Sequence, residues 1–137
     1  MFEQFVELQD RILAIADRSE AILRDPDNRD VTALGVCRWE AARVLREYQI
    51  FKHSRIFDPL ERGQDYRAIK ARRMKADCIR VGEEFRAYVL KWSVVSILDH
   101  WAEYHPAALD VCKRIRTHLA RERIGVAELL GQDSAAA

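Results

Sequence analysis

Apolar positions recur at helical spacing over residues 2–24. Phe5, Leu8, Ile12, Ile15, Ala16 and Leu23, with Ser19 between them, fall on one face. DPDN, residues 25–28, carries turn chemistry and predicts the stop. Asp30 or Thr32 can cap the helix that follows, which is expected to run to about Phe57. Its stripe is Leu34, Cys37, Ala41, Leu45, Tyr48 and Phe51, and Gly35 is a mild cost near its start. DPLERGQ, residues 58–64, ends it with Pro59 and Gly63. A third helix starts near Asp65 and carries Ile69, Met74, Cys78, Val81, Phe85, Tyr88 and Val89. Continued to Leu98 it would be ~50 Å long against ~33 Å for the first helix. Matched helix lengths therefore predict a break near Trp92–Ser93, with Ser93 capping a short extra helix to about Trp101. Pro106 suits the first turn of the last long helix, which holds Leu109, Cys112, Ile115, Leu119, Val126 and Leu129.

No strand pattern competes. Four long amphipathic helices with short connections, plus one short helix before the last, predict an all-α, antiparallel up-down-up-down four-helix bundle. The chain reads as one domain over residues 1–130, with residues 131–137 as a tail expected to fray.

Composition agrees. A chain of 137 residues suits one core, and 49% hydrophobic residues are enough to fill it. Only 5 glycines and 3 prolines favour long helices over turns. The net charge of +1 gives the whole molecule no strong pull toward nucleic acid or an anionic membrane. MFEQFVELQD has neither a basic nor an apolar leader region, and no apolar run approaches the ~20 residues of a membrane span. The longest candidate, AYVLKWSVVSIL, is short and contains Lys91. These features predict a cytoplasmic protein. Cys37, Cys78 and Cys112 are odd in number and lack CxxC spacing, so they read as buried free thiols.

Three constellations carry possible chemistry. Arg67, Lys70, Arg72, Arg73, Lys75 and Arg80 form a basic run opposed only by Asp77. Without interleaved aromatics on the exposed side it reads as a solvated helix face, not a phosphate-binding patch. His100 and His105, in DHWAEYHP, lie beside Trp101 and Tyr104 at a helix junction and read as a polar corner. The third is RTHLARERIG, residues 116–125. His118 and Glu122 stand four residues apart on one helical face, as paired metal ligands do. Nitrogen and oxygen ligands of that kind suit iron, manganese or zinc.

The layout resembles the hemerythrin-like, or HHE cation-binding, family of four-helix bundles, specifically its short bacterial members. LREYQIFKHSRIFDPL resembles that family's HLxxEE…YPxL segment, including the closing proline. FRAYVLKW followed by WAEYHPAALDVCKRIRTHLARERIGVAELL resembles its third-helix end and its HLxxEExxLYPLL fourth helix. FEQFVELQDRIL resembles its start. The resemblance spans nearly the whole chain and rests on framework residues.

It implies a set of inward metal ligands, most of which this chain replaces. Gln9 stands near the family's first histidine, and Cys78 nearest the histidine of the third helix. In the second helix, anchoring on Pro59 puts Gln49 and His53 in the HxxxE slots. Anchoring on the apolar phase around Leu45 puts Tyr48 and Lys52 there instead. Only His118 and Glu122 match, with Arg123 in place of the second acid. The expectation is a degenerate site: a polar core remnant of Gln9, Gln49, Cys78, His118 and Glu122, partnered by residues such as Tyr48, Lys52 and His53. No cofactor is expected, and no nucleophile–base pair or phosphate loop suggests an enzyme. The protein then acts as a regulatory or interaction module, through a protein partner or a homodimer. Exposed members of the set Phe2, Phe5, Trp39, Phe51, Phe57, Trp92 and Trp101 would mark the contact surface. The alternative is an iron- or zinc-binding oxygen or redox sensor using His118 and Glu122 with His53.

Overall fold

Two aspartates start helices by accepting a hydrogen bond from an otherwise unpaired backbone amide. Asp30 Oδ1 accepts from the Ala33 N–H at 3.0 Å, and Asp65 Oδ1 from the Ala68 N–H at 3.1 Å. The computed structural model describes residues 1–132 and is all-helical over them. Four long helices make up most of it: α1 (Phe2–Leu23), α2 (Val31–Lys52), α4 (Tyr66–Val94) and α5 (Trp101–Leu129). A π-helical turn, His53–Phe57, and one α-turn, α3 (Asp58–Glu61), prolong α2. Residues 133–137, most of the expected tail, lie outside the described residues.

The π turn has an identifiable cause. Pro59 has no N–H and would crowd the carbonyl four residues back in a regular α-helix. One residue before it, the Asp58 amide instead reaches back five residues to the His53 carbonyl. That widening lets helical turns run through the proline and begins immediately after Lys52. The second helix therefore does not stop at Phe57 but continues to Glu61.

The junction before the last helix also departs from expectation. Ser93 does not cap a new helix; its hydroxyl donates back to the Val89 carbonyl at 2.6 Å, inside α4. Helix α4 ends at Val94, where Val95 turns extended, and the short helix is a single 3-10 turn, Leu98–His100. Helix α5 starts at Trp101, so Pro106 lies inside it and not in its first turn. Pro106 and Ala102 are both exposed, so water can satisfy the carbonyl that the proline leaves free. The break itself falls close to the expected Trp92–Ser93, at Val94, although the helices are not matched to α1: the second helical span, Val31 to Glu61, is ~46 Å long at 1.5 Å per residue. Helices α4 and α5, at 29 residues each, match it.

Helix α1 packs on α2 and α5, and α4 packs on the same two. Ion pairs record the register. Arg11 meets Glu47 and Arg18 meets Glu40, so numbers that rise along α1 fall along α2. Arg116 with Asp17 and Arg123 with Asp10 do the same between α5 and α1. Lys91 with Glu103, Arg114 with Glu84 and Lys70 with Glu128 do it between α4 and α5. Gly125 of α5 lets the Met74 side chain of α4 pack against its backbone, since a Cβ there would lie 2.6 Å from Met74 Cε.

The main core joins Phe5, Ile12, Val44, Ile56, Phe57 and Leu119 with their neighbours. A second cluster closes one end around Leu23, Leu34, Trp92 and Tyr104. There His105 Nε2 lies 2.6 Å from the Leu23 carbonyl, as a polar corner should. Half of the basic run on α4 is paired: Lys70 with Glu128, Lys75 with Asp58 and Glu61, Arg80 with Asp77 and Glu84. Among the described residues no helix is long and apolar enough to cross a membrane.

Candidate functional site

Inside the main core, each long helix contributes a polar side chain to one buried network. Gln9 comes from α1, Tyr48 and Lys52 from α2, Cys78 from α4, and His118 and Glu122 from α5. Tyr48 and Lys52, four residues apart, share a helical face just as His118 and Glu122 do. All six are buried, and Lys52 is only 1% exposed. Lysine almost never sits this deep unless it is paired.

Glu122 is the hub. Lys52 Nζ donates to Glu122 Oε1 and Oε2, both at 2.7 Å. Tyr48 OH donates to Oε1 at 2.8 Å, and His118 Nε2 lies 3.1 Å from the same oxygen. Lys52 also reaches Cys78 Sγ at 2.9 Å and lies 4.0 Å from the centroid of the Tyr48 ring. Gln9 Nε2 donates to Tyr48 OH at 2.9 Å and to the Leu119 carbonyl at 2.8 Å. Its Oε1 accepts from Arg123 Nε at 2.7 Å. Hydrogen bonds thus run in one sense from Arg123 through Gln9 and Tyr48 to the carboxylate. A fully connected network of this kind avoids the cost of burying unpaired polar groups.

The electrostatics follow. Burial alone would push the Glu122 carboxyl up, but the Lys52 charge and the His118 hydrogen bond outweigh it and hold the group at about 2. Burial would likewise pull His118 down, yet hydrogen bonds to Cys78 and Glu122 and the Glu122 charge raise it to about 9. His118 is then an imidazolium at neutral pH, with Nδ1 turned toward Asp77 Oδ2 at 3.5 Å. Burial first, then the Glu122 charge, hold the Tyr48 hydroxyl well above its ordinary range. Two cations, Lys52 and His118, therefore face one buried carboxylate.

Cys78, His118 and Glu122 also form the one group among the described residues whose donor atoms converge as metal ligands would, all within 4.8 Å of one another. They do not fit iron or zinc while Lys52 is in place. An ion bonded to Glu122 at ~2.1 Å and to Cys78 at ~2.3 Å would need the space that Nζ fills. Nζ lies 2.7 Å from the same carboxylate and 2.9 Å from the same sulfur. A divalent ion would add two more charges beside two existing cations. Glu122 is also the only buried carboxylate among the described residues, so no second acid can bridge a metal pair.

Of the predicted residues, Gln9, Cys78, His118 and Glu122 meet in this network. Gln49 does not; it is half-buried and packs over Gly82 of α4, where a Cβ would lie 3.4 Å from its Oε1. His53 is not among the converging donors. Its Nε2 is buried without a hydrogen-bond partner, and burial together with Lys52 and Lys75 lowers its pKa. Of the two registers open for the second helix, Tyr48 and Lys52 are the inward pair. Asp77 joins at the rim; as the single acid in a basic run it gave no sign of facing His118.

A groove of ≈ 1030 Å³ between α2 and α4 leads to the network. Its rim holds exposed Trp39, Arg43, Arg46 and Leu90, and its floor holds Lys52, Cys78 and His118. Of the expected contact aromatics, Trp39 is exposed at 59%, whereas Phe5, Phe57 and Trp92 are buried and Phe2, Phe51 and Trp101 are half-buried. No family model, curated protein or solved structure matches the chain.

Proposed function

We propose that the chain is a small, non-catalytic regulatory or interaction module on a hemerythrin-like, antiparallel up-down-up-down bundle, with a lysine ammonium where a metal ion would otherwise sit. One observation carries this reading. Lys52 Nζ, 2.7 Å from both oxygens of Glu122 and 2.9 Å from Cys78, takes up the donors that a cofactor would need. The opposed numbering of paired residues in neighbouring helices supports the up-down topology. A centre satisfied in this way has stability as its main consequence, so activity falls to the surface.

Trp39 and Ile50 on α2, with Leu90 on α4, supply exposed apolar area at the groove. Such area is the usual core of a protein contact, and the module binds a protein partner or a second copy of itself there, in the cytoplasm. The test is metal content of untagged protein from iron- and zinc-supplemented cells, with sedimentation of wild type and Trp39→Glu. Metal-free protein whose self-association or partner capture is lost in Trp39→Glu is expected. Stoichiometric metal in the wild type would overturn the reading.

The convergence of Cys78, His118 and Glu122 favours the second reading, an iron- or zinc-dependent redox sensor. That reading requires Lys52 to leave the centre, and it predicts that Lys52→Ala gains metal affinity.

A further inference from the structure

Lys52 and Cys78 are used above only as a charge partner and a core thiol, yet their geometry supports more. Nζ lies 2.9 Å from Sγ, closer than ordinary contact between a nitrogen and a sulfur. A direct N–S bond would require them to approach by about an ångström more, whereas a single oxygen atom fits between them. Both are held rigidly: Lys52 by two bonds to Glu122 and the Tyr48 ring, Cys78 by α4 and the neighbouring His118. Both also line the groove between α2 and α4, which gives a small oxidant a path from solvent.

We infer that Lys52 and Cys78 form a reversible oxygen-bridged crosslink, Nζ–O–Sγ, when the protein meets a peroxide, and that this crosslink is a redox switch tying α2 to α4. In the first step the Cys78 sulfur attacks hydrogen peroxide. The O–O bond breaks, an S–O bond forms, and water leaves, giving a sulfenic acid. Sulfur gives up two electrons to that peroxide. In the second step the Lys52 ammonium gives up one proton to water in the groove, and the amine so formed joins the sulfenic oxygen. An N–O bond forms as one N–H and the O–H are lost, and a second peroxide takes the two electrons and both hydrogens as two waters. The sum is one ammonium, one thiol and two peroxides giving NH–O–S, three waters and one proton. Two equivalents of a dithiol, with one proton taken back from water, reverse it and return ammonium, thiol and one water.

The crosslink removes the Lys52 charge, so Glu122 keeps only Tyr48 and His118 as buried partners. Peroxide thus changes the balance of the core as well as its covalent structure. Cys37 and Cys112 are also buried free cysteines but have no lysine in hydrogen-bond contact, which makes them internal controls.

This inference rests on the reading that Lys52 holds the centre, so metal content is measured first on the same sample. Folded full-length protein is then treated with hydrogen peroxide, quenched, digested without reductant and mapped by mass spectrometry. The expected result is a joined Lys52–Cys78 peptide pair, heavier than its two parts by one oxygen less two hydrogens, lost on adding dithiothreitol and absent in Cys78→Ser. Cys37 and Cys112 are recovered mostly as free thiols. If the protein is metal-free and Cys78 is recovered as thiol, sulfinic acid or disulfide with Lys52 unmodified, the crosslink is wrong and the proposed function stands. Metal bound at Cys78 would overturn both. The wild-type map decides the matter even if Cys78→Ser fails to fold.

Discussion

Replacing Lys52 with methionine keeps most of the apolar stem of the side chain and removes the ammonium with its bonds to Glu122 and Cys78. Glu122 is then left buried, at 3% exposure, without its closest cation. Removing one member of a buried ion pair costs ~3–5 kcal/mol, since the remaining charge is uncompensated. Tyr48 OH, at 2.8 Å, and His118, at 3.1 Å, still face the carboxylate, which places Lys52→Met near the lower bound. A loss of about 3 kcal/mol is a large share of the ~5–15 kcal/mol typical of a folded domain, but leaves it folded. Urea unfolding followed by circular dichroism measures it, with Arg11→Ala as a control. Arg11 and Glu47 are both exposed, so that variant should change stability by under ~1 kcal/mol.

The companion variant Glu122→Gln and the double variant complete a cycle. Without the carboxylate, Lys52→Met has little left to disrupt, so the double variant should be less damaged than the sum of the singles by about 2 kcal/mol. Acid supplies an independent check. In the wild type the Glu122 carboxyl sits at about 2, below its ordinary value, so its stabilisation is present above the ordinary carboxylate range and lost as pH falls toward 2. Without Lys52, the largest of the influences lowering it, that pKa climbs, and the gap between variant and wild type narrows as pH falls from about 7 to about 4. A Lys52→Met cost no larger than that of Arg11→Ala, or additive effects with Glu122→Gln, would mean that Lys52 and Glu122 do not stabilise the fold as a buried pair.

Two further outcomes are expected. His118 is raised to about 9 in the fold, so its contribution is complete below its ordinary pKa and lost as pH rises through about 9. The urea midpoint of the wild type should therefore decline over that alkaline window, and His118→Asn should flatten the decline. Gly35→Ala should raise stability by ~0.5–1 kcal/mol, read from the same unfolding curves. Its new Cβ would meet nothing closer than Arg38 Nη2 at 3.7 Å.

The helices were legible because their signals are local. Asp30 and Asp65 announce two helix starts, and DPDN closes α1. The junction at residues 92–106 was not, because it turns on Ser93 bonding within its own helix and on a proline tolerated on an exposed face. In the site, the His118–Glu122 pair stood out by spacing. The inward register of α2 did not, since Val36, Trp39 and Ile50 place apolar residues on its outer face as well. The role of Lys52 was the hardest to read. Lysine is by default a surface residue, and its partners Cys78 and Glu122 lie 26 and 70 positions away along the chain.

The Lys52 ammonium, held among Glu122, Cys78 and the Tyr48 ring, occupies the middle of this bundle. Nitrogen-15 NMR of the lysine side chains tests it most directly. One Nζ resonance, assigned to Lys52, should exchange its protons slowly with water and revert to the fast exchange of surface lysines in Glu122→Gln. A Lys52 ammonium that already exchanges as fast as the exposed lysines in the wild type would contradict it.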